Sequence, residues 1–286
     1  MKLNKNANTN ILIVGLGLLG GSYARALKKK GYHIEAITKE QSSVDFALRE
    51  GIIDAGSTQV DAAMLERAEL VIFALYPHVF IEWIRENQQF FHPGTVLTDV
   101  TGVKGSVVHE IQGMLRADVE FIAAHPMAGK EVYGVENSDD RIFENANYIV
   151  VPTEKNTEEA IALCEELGRE LGFKTVSRLS PEEHDEMIAY LSQLTHCIAV
   201  TLMCCHDNEH LVKYTGDSFR DLTRIAKIND AMWSELFMMN KEDLLAEMDL
   251  FIEKFSELRN DLKNDKIDEM RAMMQLSTAR RKLFDR

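Results

Sequence analysis

The chain has 286 residues, 45% of them hydrophobic and 27% charged, which suits one large or two modest globular domains. Its 32 basic and 46 acidic residues give a net charge of −14, which argues against nucleic acid or an anionic membrane as the main partner. No uninterrupted apolar run approaches the roughly 20 residues that span a bilayer, and the N-terminus MKLNKNANTN lacks the apolar core of a signal peptide.

The first half alternates short apolar runs with amphipathic stretches. "ILIVG" (11–15) and "IEAIT" (34–38) are followed by "LVIFAL" (70–75), "TVLTDV" (95–100), "FIAA" (121–124) and "YIVVP" (148–152). Apolar strands separated by helices predict an α/β domain with a parallel sheet covered on both faces. "FKTVS" (173–177) supplies one further strand.

The first run leads into "GLGLLGGS", a G-x-G-x-x-G at Gly15, Gly17 and Gly20 between a strand and a helix. In that context the motif predicts a dinucleotide site. Gly15 permits the tight turn, Gly17 lets the backbone approach a pyrophosphate, and Gly20 lets the helix pack close to the strand. The diphosphate then meets free N–H groups at the helix N-terminus. The candidate cofactor-binding residues are Gly15, Leu16, Gly17, Leu18, Leu19 and Gly20, with Leu75 and Thr101 further along. At the end of the second strand, where an acid would accept from a ribose diol, stand Thr38 and Lys39, with Ser42 nearby. Hydroxyls and a cation favour NADP, with NAD as the alternative.

"FIAA" stops at His125, followed by Pro126 and Gly129, so an apolar strand ends on a histidine and a sharp break. The pattern changes near Ser180. "SPEEHDE" predicts a helix start, with Ser180 as N-cap and Pro181 at the first helical position. We place the domains at 1–179 and 180–286, the second all helical. In its first helix Ser192 and His196 are four apart and share a face, as do Arg220 and Arg224 further on. The last long helix carries a single apolar seam, Leu244, Met248, Phe251, Phe255, Leu258 and Leu262. It predicts either packing inside the domain or a dimer interface. The four cysteines form no C-x-x-C pair and predict free thiols in a reducing cytoplasm.

Taken together, "GLGLLGGS", "DVTGVKG", "AHPMAGKEVYGVE", "LSQLTH" and "SFRDLTRIAK" occur in an order that closely resembles the prephenate dehydrogenases, which include arogenate-using relatives. The resemblance runs over nearly the whole chain, and "HPMAG" with "FRDLTRIA" is its specific part. It implies a nucleotide-binding Rossmann domain followed by a helical dimerisation domain, and a homodimer. It also implies NAD(P)-dependent oxidative decarboxylation of prephenate (arogenate being the alternative substrate) to give 4-hydroxyphenylpyruvate in tyrosine biosynthesis. By resemblance His125 is the catalytic histidine and Arg224 holds the ring carboxylate. His196 and Ser192 match substrate-site residues, His196 counted with His125 and Arg224 as catalytic; Glu131 matches an acid near the pocket entrance; and Arg220, on the face of Arg224, is a further substrate-binding candidate. Where the family often has a serine that helps bind the substrate hydroxyl, this chain has Gly102, and Thr195 stands where proline is common. A β-hydroxyacid dehydrogenase is the less favoured reading, because "HPMAG" argues against it.

Overall fold

The computed structural model describes residues 9–207 and 209–285. Its N-terminal half is built on six parallel strands. They are β1 (Asn10–Val14), β2 (His33–Ile37), β3 (Ala55–Ser57), β4 (Leu70–Phe73), β5 (Val96–Asp99) and β6 (Glu120–Phe121), in the order β3-β2-β1-β4-β5-β6. Helices α1 (Leu18–Lys29), α2 (Gln41–Arg49), α3 (Ala62–Arg67), α4 (Pro77–Asn87) and α5 (Gly105–Met114) cross between them. Alternation along β1 divides the core: Ile11 and Ile13 join one apolar cluster, Leu12 and Val14 the other. The order reverses between β1 and β4, and the glycine loop leaves β1 at that reversal, where doubly wound sheets open a ligand crevice. β3 is too short and too poor in apolar residues to be legible as a strand.

The "FIAA" run is not one strand of one sheet. It splits at Ile122: β6 closes the parallel sheet, and β7 (Ala123–Pro126) opens a second sheet with β8 (Asn147–Val151) and β9 (Thr175–Arg178). β7 runs antiparallel to β8, with His125 opposite Ile149, and β9 runs parallel to β8. The split has a local cause. The Ala124 N–H donates to the side chain of Asp99, 3.1 Å away, rather than to a strand carbonyl, so a carboxylate ends the ladder to β5. Helix α6 (Glu158–Leu171) connects β8 to β9.

From there the chain is helical. Ser180 and Glu183 form a reciprocal capping box, the Glu183 N–H donating to Ser180 Oγ (3.1 Å) and the Ser180 N–H to Glu183 Oε2 (2.9 Å). α7 (Pro181–Ile188) runs through a π-helical turn (Ala189–Leu194) into α8 (Thr195–Cys204). Together they make a 24-residue helix that is long and apolar enough to cross a bilayer by length and composition alone. Its first turns nevertheless carry the buried side chains of His184 and Asp185, which bond to the sheet half and tie the helix into the fold. α9 (Asp217–Thr223), α10 (Asp230–Met239), α11 (Lys241–Lys263) and α12 (Ile267–Arg281) follow. The seam on α11 is covered only at its start: Leu244 is 5% exposed, whereas Phe255 and Leu262 are 62% and 66% exposed.

Candidate active site

The nucleotide end is shaped by glycine. Gly15 has φ +101, and a Cβ there would lie 2.4 Å from the Ala74 carbonyl oxygen. A Cβ on Gly20 would fall 1.9 Å from the Gly15 oxygen, so only glycine lets α1 sit this close to the loop. Gly17, by contrast, faces open space, and no side chain caps the first turn of α1. Those free N–H groups beside an open Gly17 fit a diphosphate. Gly17, Leu18 and Leu75 border this space, with Leu75 against Gly15.

Three of the expected cofactor residues, Leu16, Leu19 and Thr38, have side chains engaged within the fold. The Leu16 side chain is buried in the core and its N–H donates to Thr38 Oγ1 (3.3 Å), so Leu16 and Thr38 hold the loop to the end of β2. Leu19 also packs against the core. Lys39 and Ser42 remain exposed beyond β2.

Thr101 is the clearest correction. It is buried, and its hydroxyl donates to Asp99 while its N–H donates to the same carboxylate (3.0 Å). Its side chain therefore serves an internal network, bonded to Asp99 and the Val103 carbonyl. Lys104 completes that network. Its ammonium, like Asp99, is fully buried, and Nζ lies 2.6 Å from Asp99 Oδ2 and 3.1 Å from Thr101 Oγ1.

His125 stands at the end of β7, above this pair. Its Nδ1 is 2.8 Å from Nε2 of His184, and His184 Nδ1 is 2.7 Å from Asp185 Oδ1. Asp185 also accepts the N–H groups of Lys104 (2.8 Å) and Gly105 (2.7 Å), which begin α5. Burial, then the neighbouring His184 and Lys104, hold the His125 pKa well below the usual histidine value. The ring is therefore neutral near pH 7, the state a base requires. His184 and Asp185 were passed over in the sequence, where "SPEEHDE" registered only as a helix start. The adjacent His–Asp pair just past the N-cap was the available signal.

The helical half supplies a second group of side chains. His196 donates from Nδ1 to the Ser192 carbonyl oxygen (2.9 Å), and its ring stacks on Trp233 with centroids 3.7 Å apart. Burial lowers its pKa, with the Ser192 bond opposing. The π-helical turn places Ser192 beneath His196; such turns recur at functional sites. Arg224 reaches back to the sheet half and pairs with Glu131, six residues after His125. Helix α10 links the two groups, because Trp233 lies one turn before Leu236, which touches Gly102. Arg220 does not join them. It is exposed and bonded to Asp217 and the Thr215 carbonyl, so a nearer acid has taken its charge. At Gly102 a Cβ would meet the Leu236 methyls at 3.5 and 3.7 Å, ordinary contact distances, so space for a Cβ does not impose the glycine.

The chain thus has a glycine loop open at Gly17, a partly buried histidine on a short strand, and a helical half whose Arg224 pairs with Glu131 on the loop after that strand. A family model for the nucleotide-binding domain of prephenate dehydrogenase matches residues 23–177, and one for its dimerisation domain matches 180–276. The prephenate dehydrogenase of Lactococcus lactis is 34% identical over 87% of this chain and 70% of its own length. That of Bacillus subtilis is 31% identical over 87% and 69%. The structure also resembles that of prephenate dehydrogenase from A. aeolicus in complex with hydroxyphenyl propionate and NAD+, with a TM-score of 0.88, 29% identity, and coverage of 97% of this chain and 98% of that one. On these matches to both halves, the chain belongs to the prephenate dehydrogenase family of oxidoreductases.

Proposed function

We propose that the chain catalyses the NAD(P)-dependent oxidative decarboxylation of prephenate to 4-hydroxyphenylpyruvate, with His125 as base and Arg224 as carboxylate anchor. The observation that carries this reading is the Arg224–Glu131 ion pair. It sets a carboxylate on the guanidinium, held by the loop that follows His125. The contact uses one guanidinium nitrogen and one carboxylate oxygen, and a ring carboxylate that displaced Glu131 would meet a planar guanidinium able to bind it through two nitrogens. The hydroxyl at the opposite end of the ring is then directed to His125. The hydroxyphenyl propionate bound by the A. aeolicus enzyme shares the outline of the proposed product.

The glycine loop at Gly15, Gly17 and Gly20 would hold the dinucleotide, whose oxidised nicotinamide would supply the acceptor for the hydride of the hydroxyl-bearing carbon. Neutral His125 accepts the hydroxyl proton as the C–O bond gains double-bond character. The bond to the ring carboxylate then breaks, CO₂ leaves, and its electron pair makes the ring aromatic. His125 returns the proton to the ring oxygen. Hydride, CO₂ and proton are then all accounted for. In this reading His196, stacked on Trp233, and Ser192 serve the substrate from the helical half.

Exposed Lys39 and Ser42 beyond β2 support a preference for NADP over NAD, and Thr38, which accepts the Leu16 N–H, keeps its own O–H as a donor. A homodimer through the helical half is supported by the bare part of the α11 seam and by exposed Tyr190, Leu191 and Met203 on the α7–α8 helix. The test is reduced-nicotinamide formation with prephenate, arogenate and a β-hydroxyacid panel, each with NAD and with NADP. Turnover of prephenate with loss of CO₂ is expected. Turnover of a β-hydroxyacid alone would refute the reading, and a higher kcat/KM with NAD would refute the cofactor preference.

A further inference from the structure

A histidine base must present one ring nitrogen with a free lone pair, and a neutral imidazole does so in only one of its two tautomers at a given position. In this fold a hydrogen-bond chain determines which. Asp185 can only accept: its Oδ1 takes the Lys104 N–H and its Oδ2 the Gly105 N–H, so the carboxylate closes the N-terminus of α5. His184 Nδ1, 2.7 Å from that Oδ1, is therefore the donor. A neutral His184 then keeps its lone pair on Nε2. His125 Nδ1, 2.8 Å from this Nε2, must in turn donate, which leaves His125 Nε2 unprotonated.

We infer that His184 and Asp185 are positioning residues that hold His125 in its Nδ1–H tautomer, so that Nε2 is the nitrogen offered to the substrate hydroxyl. This rests on the reading of His125 as base. The ionisable groups facing the pair are Asp185 from α7 and Lys104 and Asp99 from the β5–α5 junction. Burial holds the His184 pKa below the usual histidine value, opposed by the Asp185 hydrogen bond and reinforced by Lys104, and a neutral His184 is the state the chain of donors requires. When His125 takes the proton on Nε2, the Nδ1–H bond to His184 becomes charge-assisted, and no proton need leave His125.

The chain crosses the two halves of the molecule. His125 belongs to the second sheet, whereas His184 and Asp185 belong to the first turns of α7. The base therefore acquires its tautomer only when α7 is docked on α5.

The test uses the full chain labelled with ¹⁵N-histidine. Two-bond ¹H–¹⁵N correlations report which nitrogen of His125 carries the proton, and His125→Asn identifies the signal by its loss. The wild type is expected to show Nδ1–H. His184→Gln, which keeps an acceptor oxygen near the Nε2 position, is expected to retain that tautomer and a kcat within about fivefold of wild type. His184→Leu, which removes the acceptor, is expected to show mixed tautomers and a kcat lower by about 10- to 100-fold, with both KM values nearly unchanged. An Nε2–H tautomer in the wild type overturns the inference, as does wild-type kcat in a folded His184→Leu. The spectra need no substrate, so a failure to turn over prephenate counts against the proposed function and leaves the tautomer result standing by itself.

Discussion

Replacing Lys104 by methionine tests the buried network beneath the candidate base. The Lys104 and Asp99 side chains are both 0% exposed and 2.6 Å apart. Removing the ammonium leaves a buried carboxylate without a counter-charge, a change that costs about 3–5 kcal/mol. Asp99 keeps three donors, the N–H groups of Thr101 and Ala124 and the Thr101 hydroxyl, which sets the expectation near the lower end, about 3 kcal/mol. Methionine fills the space of the lysine stem, so lost packing contributes little. For a chain of 286 residues, at about 2.1 cal/mol/K of unfolding entropy per residue, the loss corresponds to a fall in Tm of about 5 °C. The assay is calorimetry of the wild type, Lys104→Met, Asp99→Asn and the double variant. The double variant removes the stranded charge and should recover part of the loss, giving a coupling well away from additivity. A Tm for Lys104→Met within about 2 °C of wild type would refute the account, as would strictly additive losses.

His125→Asn should lower kcat by at least about 100-fold with little change in substrate KM, and near-normal turnover would remove His125 from the chemistry. Arg224→Ala should raise the KM for prephenate by about tenfold or more, as a charge-assisted carboxylate contact contributes about 1.5–3 kcal/mol; a change confined to cofactor KM would exclude the carboxylate role. Burial depresses the pKa of both His125 and His184, so the unfolded chain binds more protons than the folded one as pH falls through 6.5. Stability should therefore be full above pH 6.5 and drop on acidification, and kcat/KM should keep its plateau to below pH 6.5; a Tm independent of pH over that range in wild type, matching that of His125→Asn, would contradict it. Phe255→Glu with Leu262→Glu should convert a dimer to monomers in sedimentation velocity, and a wild-type chain that already sediments as a monomer would dispose of the α11 interface.

The dinucleotide crevice was legible because its signal is local. Gly15, Gly17 and Gly20 each answer a steric demand made by atoms a few residues away or on the next strand, and the structure shows those demands at Gly15 and Gly20 as short approaches to backbone oxygens. The helix start at Ser180 was legible for the same reason, since a capping box needs only four consecutive residues. Thr101 and Leu16 were harder. Their place in the motif suggested the cofactor, but the direction of a side chain depends on what lies beneath it: Asp99 for Thr101 and the core for Leu16. Arg220 and Arg224 look alike in sequence, one turn apart; the structure separates them by their acids, Asp217 within the helix and Glu131 across the cleft.

By itself, then, the sequence determined the alternation of strands and helices, the glycine loop, the change to an all-helical half and the family, all of which follow from short-range periodicity and contiguous motifs. The tertiary structure decided what periodicity does not encode. It broke "FIAA" between two sheets, because the Asp99 side chain captures the Ala124 N–H. It also brought His184 and Asp185, 59 and 60 positions beyond His125, up against it. A hydrogen-bond chain between residues so far apart depends on how α7 docks against α5, and that docking is a property of the packed molecule, which no local pattern records.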